Sequence, residues 1–374
     1  MTSPFRSLTR LVIAGATVAA LLATTGCAAP ANGEQSGALS DSVTVTGGSH
    51  SEAATQVTLG DTVTSLEEGL DATRFSGDDG FSQFLDKGGA SSDAQVVQYL
   101  GQHMLAGEAI GALIGNLFGC STIAVRNTSD GWLFGRNFDW ENVQAMIVES
   151  HPDDAYASIT TVNMDFLDQG SDGMLSKLSD HARTIAALYA PLDGMNERGL
   201  AVSVNMIQDS ATIDQNTDKP DLTTTTAIRL LLNQAANVDE ALTLLRAYDM
   251  HSSMGMMIHL AIADAEGNSV AVEYVNNDMV VIDTSVLTNF YLADGDKHGI
   301  GTEESHQRYD QLTDTLQRKP RMSIAEVRDA LDSVSKDDFG GFASTEWSVI
   351  YDLTEHTARY YHREDYTHSF TVAL

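Results

Sequence analysis

The sequence predicts an α+β protein whose large sheets are antiparallel. Short runs of β-branched, aromatic and other apolar residues are separated by turn signals such as Ala265–Asn268 and Asn276–Asp278, which are typical of successive hairpins. Two pairs of segments with helical periodicity interrupt these runs. Runs of strands broken by helix pairs, with meander connections, favour this fold class.

The predicted strands are rich in β-branched and aromatic residues. They cover Thr122–Arg126, Trp132–Gly135, Met146–Glu149, Ala157–Val162, Leu200–Asn205, His259–Ala263, Ser269–Tyr274, Met279–Asp283, Glu346–Asp352, Thr357–His362 and Ser369–Ala373. The predicted helices that interrupt them cover Thr223–Ala235, Val238–Tyr248, His306–Leu316 and Ile324–Val334. Residues 61–119 are also predicted to be helical, because Ser91–Asp93 can cap a helix whose apolar positions recur three and four apart.

Residues 1–26 have the organisation of a lipoprotein signal peptide. Arg6 and Arg10 precede an apolar stretch, and small residues then lead to Cys27. The apolar stretch is shorter than the roughly 20 residues that a membrane-spanning helix needs. Thr-Thr-Gly directly before Cys27 resembles the bacterial lipobox, so we expect the signal to be cut there and the thiol to carry lipid. The alternative is an ordinary exported protein in which this cysteine is incidental.

Residues 27–60 are expected to form a flexible tether between the membrane and the folded part of the chain. They are rich in Ala, Gly, Ser and Thr and have no apolar periodicity, so they cannot bury enough surface to become ordered. The expected location is therefore the outer face of the bacterial cytoplasmic membrane. Residues 120–374 are numerous enough for one large domain with a substantial core.

The chain is strongly acidic, with 52 acidic against 21 basic side chains and a formal net charge of −31. A surface of this charge repels phosphate backbones, so nucleic acid is not expected as a partner. The sequence has no serine-hydrolase elbow, zinc-hydrolase motif or phosphate-binding glycine-rich loop. We therefore expect no cofactor and no metal. For Asp214, Asp218 and Asp221, which share a polar loop, solvated carboxylates are favoured over a calcium site.

The prediction of function depends on Cys120. Exported cysteines are usually paired or absent, and a lipid-modified Cys27 leaves Cys120 without a partner. A hairpin turn after its strand returns the chain beside it, so Arg136 and Asp139 should lie next to Cys120. A nearby guanidinium lowers a thiol pKa and favours the nucleophilic thiolate. The alternatives are a buried cysteine acting as a small apolar residue, and a surface ion pair between Arg136 and Asp139.

Four motifs follow one another between positions 120 and 309. They are Cys120 with Gly135-Arg136-Asn137-Phe138-Asp139, Asp193–Val202 followed by Asn205, Val286–Asn289, and Ser305–Tyr309. Together they resemble the signatures of the choloylglycine hydrolase family of N-terminal nucleophile hydrolases. That family of linear amide C–N hydrolases includes bile salt hydrolases and penicillin V acylases, with acid ceramidase as a relative. The resemblance implies an αββα sandwich with stacked antiparallel sheets.

The resemblance also implies that Cys120 is the nucleophile. In that family the cysteine is the first residue of the mature catalytic chain, and its own α-amine serves as the base. The Gly119–Cys120 bond must then be cut, most simply by autoproteolysis in which Cys120 attacks the preceding carbonyl. Residues 61–119 would become a propeptide or a small chain that stays docked, and residues 120–374 the amidase domain.

Further site residues are implied in the same way. Arg136 supports the thiolate, and Asp139 positions the α-amine and the sulfur. Arg308 stabilises charge around the nucleophile. The side-chain amide of Asn289 and the backbone N–H of Asn205 form the oxyanion hole for the tetrahedral intermediate.

The predicted function is therefore that of a membrane-anchored cysteine amidase that hydrolyses linear, non-peptide C–N amides through a thioester acyl-enzyme. An acyltransferase that uses the same site is an alternative within the enzymes. A non-catalytic, substrate-binding lipoprotein in which Cys120 is inert is an alternative of another class. The expected partners are a small-molecule amide and, through the lipid at Cys27, the membrane. Assembly into a homo-oligomer is left open.

Overall fold

The computed structural model describes residues 52–105, 119–141, 143–168, 177–337 and 343–374. The predicted signal peptide, Cys27 and most of the predicted tether lie outside the described residues, as do residues 106–118. Among the helices of the described ranges, none is long and apolar enough to cross a membrane.

One sheet carries the strand that begins at the predicted nucleophile. Its strands are β1 (Ala53–Gln56), β4 (Gly119–Asn127), β5 (Trp132–Trp140), β15 (Val286–Leu287), β16 (Arg321–Met322), β17 (Ser344–Asp352), β18 (Thr357–His362) and β19 (His368–Ala373). Their order is β1-β19-β18-β17-β5-β4-β15, with β16 also beside β4. The central pairs are antiparallel, whereas β1 with β19 and β16 with β4 are parallel.

The second sheet lies against the first and is also mainly antiparallel. Its strands are β2 (Thr64–Glu67), β3 (Leu70–Gly77), β6 (Ala145–Pro152), β7 (Ser158–Asn163), β8 (Asp193–Asn196), β9 (Ala201–Met206), β12 (Ile258–Ala263), β13 (Ser269–Val275) and β14 (Asp278–Asp283). Their order is β14-β13-β12-β9-β8-β7-β6-β3-β2. A separate short parallel pair consists of β10 (Asp221–Thr223) and β11 (Asp249–His251).

Helices cover the outer faces of both sheets. The α-helices of the described ranges are α1 (Phe81–Asp86), α2 (Asp93–His103), α3 (Met164–Asp168), α4 (Asp180–Leu188), α5 (Thr224–Gln234), α6 (Val238–Arg246), α7 (Glu303–Arg318) and α8 (Ile324–Asp332). Helices α4 and α5 pack on the second sheet, and α7 and α8 pack on the first. This layering confirms the predicted α+β class and the stacked-sheet sandwich.

The alternation of side chains along β4 assigns its two faces. Ile123 and Val125 belong to the apolar cluster beneath α7 and α8, together with Leu331 of α8. Cys120 and Ala124 belong to the larger core that fills the space between the sheets. Since successive residues of a strand point to opposite faces, the position of Cys120 in β4 directs its sulfur between the two sheets.

The prediction that residues 61–119 are helical is wrong for their first part. Residues 64–67 and 70–77 form β2 and β3, and β3 pairs in parallel with the whole of β6. Leu70 and Ala72 are buried on one face of β3, and Thr73 and Phe75 are buried on the other, as in a strand covered on both sides. The predicted tether also ends early, because Ala53–Gln56 pairs with β19.

A buried arginine links this N-terminal segment to the rest of the molecule. The guanidinium of Arg229 in α5 is buried and donates from Nε to the carbonyl oxygen of Leu188 at 2.8 Å. Burial lowers the pKa of Arg229 to about 10, and the negative charge of Asp79 opposes that shift. The buried carboxylate of Asp79 accepts a hydrogen bond from the side-chain amide of Asn233 at 3.2 Å. The N-terminal segment thus supplies a carboxylate that compensates a buried cation.

We expect Asp79→Asn to lower the free energy of unfolding by about 2 kcal/mol, because it removes that charge and weakens buried hydrogen bonds. Urea unfolding of the purified protein measures this. The matched control is Asp78→Asn, at an exposed neighbour that also accepts a backbone N–H two residues on. Equal destabilisation by the two variants would contradict the role given to Asp79.

Candidate active site

Cys120 is the second residue of β4 and is completely buried. The β4–β5 hairpin pairs it with Phe138, so Arg136, two residues away in β5, lies on the same face of the sheet. Arg136 Nη2 lies 3.5 Å from Cys120 Sγ. The hairpin therefore brings the guanidinium to the thiol, as its geometry predicts.

A second buried charge fixes this guanidinium. Arg136 Nη1 donates to a carboxylate oxygen of Asp193, and both side chains are completely buried. Asp193 also accepts hydrogen bonds from Trp347 Nε1 at 3.1 Å and from the Tyr351 hydroxyl at 2.6 Å. Arg136 Nη2 donates to the carbonyl oxygen of Val204 at 2.9 Å. With so many of its donors engaged, the guanidinium is held in one orientation beside the sulfur.

The net electrostatic effect on the thiol differs from the sequence prediction. Burial raises the pKa of Cys120, and the positive charge of Arg136 lowers it by less than burial raises it. The negative charge of Asp139 raises this pKa further, while Arg308 lowers it. Arg136 thus lowers the pKa of the thiol, as the sequence predicts, but burial outweighs this effect in the chain before cleavage. The thiol of the uncut chain is therefore the neutral acid.

Asp139 lies at the peptide bond that precedes Cys120. It is paired with Gly119 across the β4–β5 ladder, and its Oδ1 accepts a hydrogen bond from the Thr345 hydroxyl at 2.8 Å. Its Oδ2 is buried and has no hydrogen-bond partner among the described residues, although Arg308 Nη1 lies 3.6 Å away. A Cβ atom on Gly119 would lie only 2.8 Å from this oxygen. The carboxylate is thus aimed at the backbone of residues 119 and 120.

Arg308 of α7 approaches the same backbone from outside the first sheet. Its Nη1 donates to the carbonyl oxygen of Cys120 at 2.7 Å and to the Ser121 hydroxyl at 2.5 Å. Its Nη2 donates to Asn289 Oδ1 at 2.8 Å. Arg308 therefore positions both the cysteine backbone and the asparagine side chain.

Asn289 contacts the backbone nitrogen of the predicted nucleophile. Its Oδ1 accepts the N–H of Cys120 at 2.8 Å, and its Nδ2 donates to the carbonyl oxygen of Met206 at 2.7 Å. Since Arg308 can only donate, its bond to Oδ1 fixes which way the amide points. The side-chain amide of Asn289, which the sequence predicts to be an oxyanion donor, therefore lies near Cys120. Before cleavage its N–H group is hydrogen-bonded to the carbonyl oxygen of Met206.

Asn205 is not arranged as predicted. The N–H of Ile207 donates to the carbonyl oxygen of Met257 in the chain that leads into β12. In an antiparallel ladder every second residue of a strand hydrogen-bonds to the same neighbouring strand. Asn205, two residues before Ile207, therefore directs its N–H to His259 in β12. It therefore points away from Cys120. The N–H of the next residue, Met206, points to the opposite side of β9, toward Asn289. A difference of one residue reverses the direction of a strand N–H, and spacing between motifs cannot resolve it.

The sequence prediction missed several residues around the site. Lys336 Nζ pairs with Glu304 Oε1 at 2.9 Å, and it would lie 3.0 Å from a Cβ atom on Gly119. Thr345 and Trp347 come from β17, more than 200 residues after Cys120 in the chain. Nothing in the local sequence marks these residues, because they reach the site only through strand pairing. Asp193 opens the second of the four motifs, but the resemblance implies no role for it.

Comparisons with known proteins agree with this architecture. Residues 120–291 match the family model of linear amide C–N hydrolases, choloylglycine hydrolase family. A mutant of the conjugated bile acid hydrolase from Clostridium perfringens superimposes with a TM-score of 0.51 at 16% identity, over 68% of this chain and 92% of that chain. This likeness shows the fold.

Penicillin V acylase from Agrobacterium tumefaciens superimposes with a TM-score of 0.49 at 19% identity, over 68% of this chain and 86% of that chain. Among curated proteins, the sequence has no significant match.

We expect Asp139→Asn and Arg136→Gln to shift the titration of Cys120 in opposite directions. Removing the carboxylate should let thiolate form at lower pH, and removing the guanidinium should require higher pH, since Asp139 raises and Arg136 lowers the pKa of this thiol. The pH dependence of alkylation by iodoacetamide, followed in a Cys27→Ala background, reports on the thiolate of Cys120 alone, since the chain has two cysteines. Asp352→Asn, at the far end of β17, is the control. Shifts of the same sign would refute this electrostatic assignment.

Proposed function

We propose a mechanism for this chain from the family whose model matches residues 120–291, the linear amide C–N hydrolases of the choloylglycine hydrolase family. The chain is a hydrolase that acts on linear amides, so the alternative of a non-catalytic binding protein is set aside. In the proposed reaction Cys120 Sγ attacks the amide carbonyl carbon, and the amine leaves with a proton. The resulting thioester is hydrolysed by water, which releases the acid and restores the thiol.

The proposed nucleophile becomes active only after the Gly119–Cys120 bond is cut. In this step Sγ attacks the carbonyl carbon of Gly119, the C–N bond breaks, and the thiol proton passes to the departing nitrogen. Water then hydrolyses the Gly119 thioester and leaves a carboxylate. Cys120 is then an N-terminal residue with a free α-amine. An unperturbed α-amine has a pKa of about 7.7–8.0, so it can accept the proton of a buried thiol near neutral pH.

One observation carries this proposal: the buried Oδ2 of Asp139, which lacks a hydrogen-bond donor, lies beside the bond to be cut. Buried carboxylate oxygens are seldom left without a donor. The nitrogen of Cys120 already gives its one hydrogen to Asn289 Oδ1. Cleavage adds hydrogens to that nitrogen, and Asp139 Oδ2 can accept one of them. The arrangement fits an amine better than the peptide that precedes it.

The oxyanion hole is proposed to use the backbone N–H of Met206 in place of that of Asn205. Asn289 Nδ2 is the second donor, released from the Met206 carbonyl oxygen when substrate binds. Each such donor typically contributes about 3 kcal/mol to the stabilisation of the transition state. Arg136 and Arg308 then stabilise the sulfur and the backbone around it.

The N-terminal segment is proposed to stay docked after cleavage. It contributes the β3–β6 ladder, the β1–β19 ladder and the carboxylate of Asp79 near Arg229. Its loss would expose a sheet edge and leave a buried cation uncompensated. We further propose that the protein is exported and anchored by lipid at Cys27, which would place the amidase outside the cytoplasmic membrane.

Cys120→Ala should remain uncut and should not hydrolyse amides, because neither thioester can form. Intact mass after purification reports on cleavage, and a panel of amides that differ in acyl group reports on turnover. The matched control is Cys27→Ala at the other cysteine of the chain, which should keep both activities but leave the membrane fraction. An uncut wild-type chain with full turnover would refute the proposed base.

Gly119→Ala should slow cleavage, because its Cβ would meet Asp139 Oδ2 at 2.8 Å and Lys336 Nζ at 3.0 Å. A time course of intact mass after synthesis measures the rate. Gly60→Ala is the matched control, since a Cβ at that position has no neighbour within 4 Å. Equal cleavage rates for the two variants would argue against a crowded Gly119 as part of the cleavage site.

A further inference from the structure

A row of buried polar side chains lies behind the segment that carries Asn289. Asn205 of β9, His259 of β12 and Glu273 of β13 are all completely buried. Asn205 is directly opposite His259, and the β12–β13 register continues to place His259 opposite Glu273. Directly opposite residues of neighbouring strands share one face of a sheet. We call these three residues the polar row.

The polar row holds the chain on both sides of Asn289. The carbonyl oxygen of Thr288 lies 2.9 Å from His259 Nε2 and accepts the Asn205 side-chain amide at 3.2 Å. The carboxylate of Glu273 accepts the backbone N–H groups of residues 292 and 293 at 2.8 and 2.9 Å. Side chains of β9, β12 and β13 thus hold in place the irregular segment that contains Asn289.

The hydrogen bonds of His259 define its protonation. Its Nδ1 is 3.0 Å from Glu273 Oε1, and its Nε2 faces the carbonyl oxygen of Thr288. Burial raises the pKa of Glu273, but its hydrogen bonds to His259 and to the backbone N–H groups of Leu292 and Ala293 hold it below the ordinary value. Glu273 is therefore ionised and can only accept. A carbonyl oxygen also only accepts, so both ring nitrogens of His259 must donate.

We propose that His259 and Glu273 are positioning residues for the amidase reaction, in which a His259 imidazolium held by Glu273 fixes Thr288 and thereby sets Asn289 against Cys120. This inference rests on the proposed function of Cys120. Thr288 directly precedes Asn289, so a movement of its carbonyl oxygen moves the asparagine. The side chain of Asn289 has contacts at 2.8 Å to Cys120 and 2.7 Å to Met206, which such a movement would break.

Stability alone does not account for this ion pair. Replacing a buried ion pair with apolar residues of similar volume is often neutral or stabilising, because the charges lose hydration. Position matters far more for the reaction, since displacing a group by about 1 Å can cost about 100-fold in rate. The pair lies where it fixes the backbone next to a proposed oxyanion donor. The role of the ion pair is therefore to position this backbone.

The protonation of His259 is tested on the wild-type protein labelled with ¹⁵N-histidine. The His259 ring signals are assigned by their loss in His259→Gln, and we expect hydrogens on both ring nitrogens at neutral pH. A neutral ring with one hydrogen would overturn the inference. This measurement does not depend on catalysis or on the folding of any other variant.

The positioning role is tested by the steady-state kinetics of His259→Gln and Glu273→Gln on an amide that the wild type hydrolyses. We expect kcat to fall about 100-fold with little change in KM, and intact mass to show Cys120 still alkylated by iodoacetamide. The matched control is His251→Gln, because His251 also lies between two acceptors, Asp214 and Asp221, at 3.0 Å each. It should keep wild-type kcat.

The outcomes separate this inference from the proposed function. A wild type that cleaves no amide in the panel refutes the proposed function. If the wild type cleaves an amide and a folded His259→Gln has the same kcat, the positioning role is refuted and the proposed function stands. If His259→Gln does not fold, Glu273→Gln and the ring protonation of the wild type decide.

Discussion

The buried ion pair between Arg136 and Asp193 is the interaction on which the site depends. It joins β5 of the first sheet to β8 of the second, and Trp347 and Tyr351 complete the hydrogen bonds of the carboxylate. A single buried guanidinium beside a thiol would be costly without a counter-ion. Asp193 removes that cost and holds the cation at one position beside the sulfur. The sandwich can therefore keep a charged group in the middle of its core.

The strand geometry of β4 separates the chemistry of Cys120 into two environments. Its sulfur points between the sheets toward Arg136, while its backbone is reached by Asn289 and Arg308 from the side of α7. Different elements therefore control the nucleophile and the nitrogen that is proposed to become its base. This division explains why a segment as distant as residues 288–293 has to be held firmly, and the polar row on the second sheet supplies that hold.

Burial places the sulfur of Cys120 between the two sheets, and it also disfavours the thiolate. It raises the pKa of Cys120 more than the nearby arginines lower it, so the sulfur of the uncut chain is a neutral thiol. In the proposed mechanism this is consistent with a base created only by cleavage at the same residue.

The sequence by itself determined most elements within residues 120–374 and the meeting of Arg136 with Cys120, because period-two patterns and a short hairpin are local properties of the chain. The four motifs likewise identified Asn289 and Arg308 as site residues. Only the tertiary structure decided that the N–H of Asn205 faces β12, that β2 and β3 extend the second sheet, and that His259 and Glu273 hold the Asn289 segment. These depend on which strands pair and in which register, and such long-range contacts leave no mark on the spacing of residues along the chain.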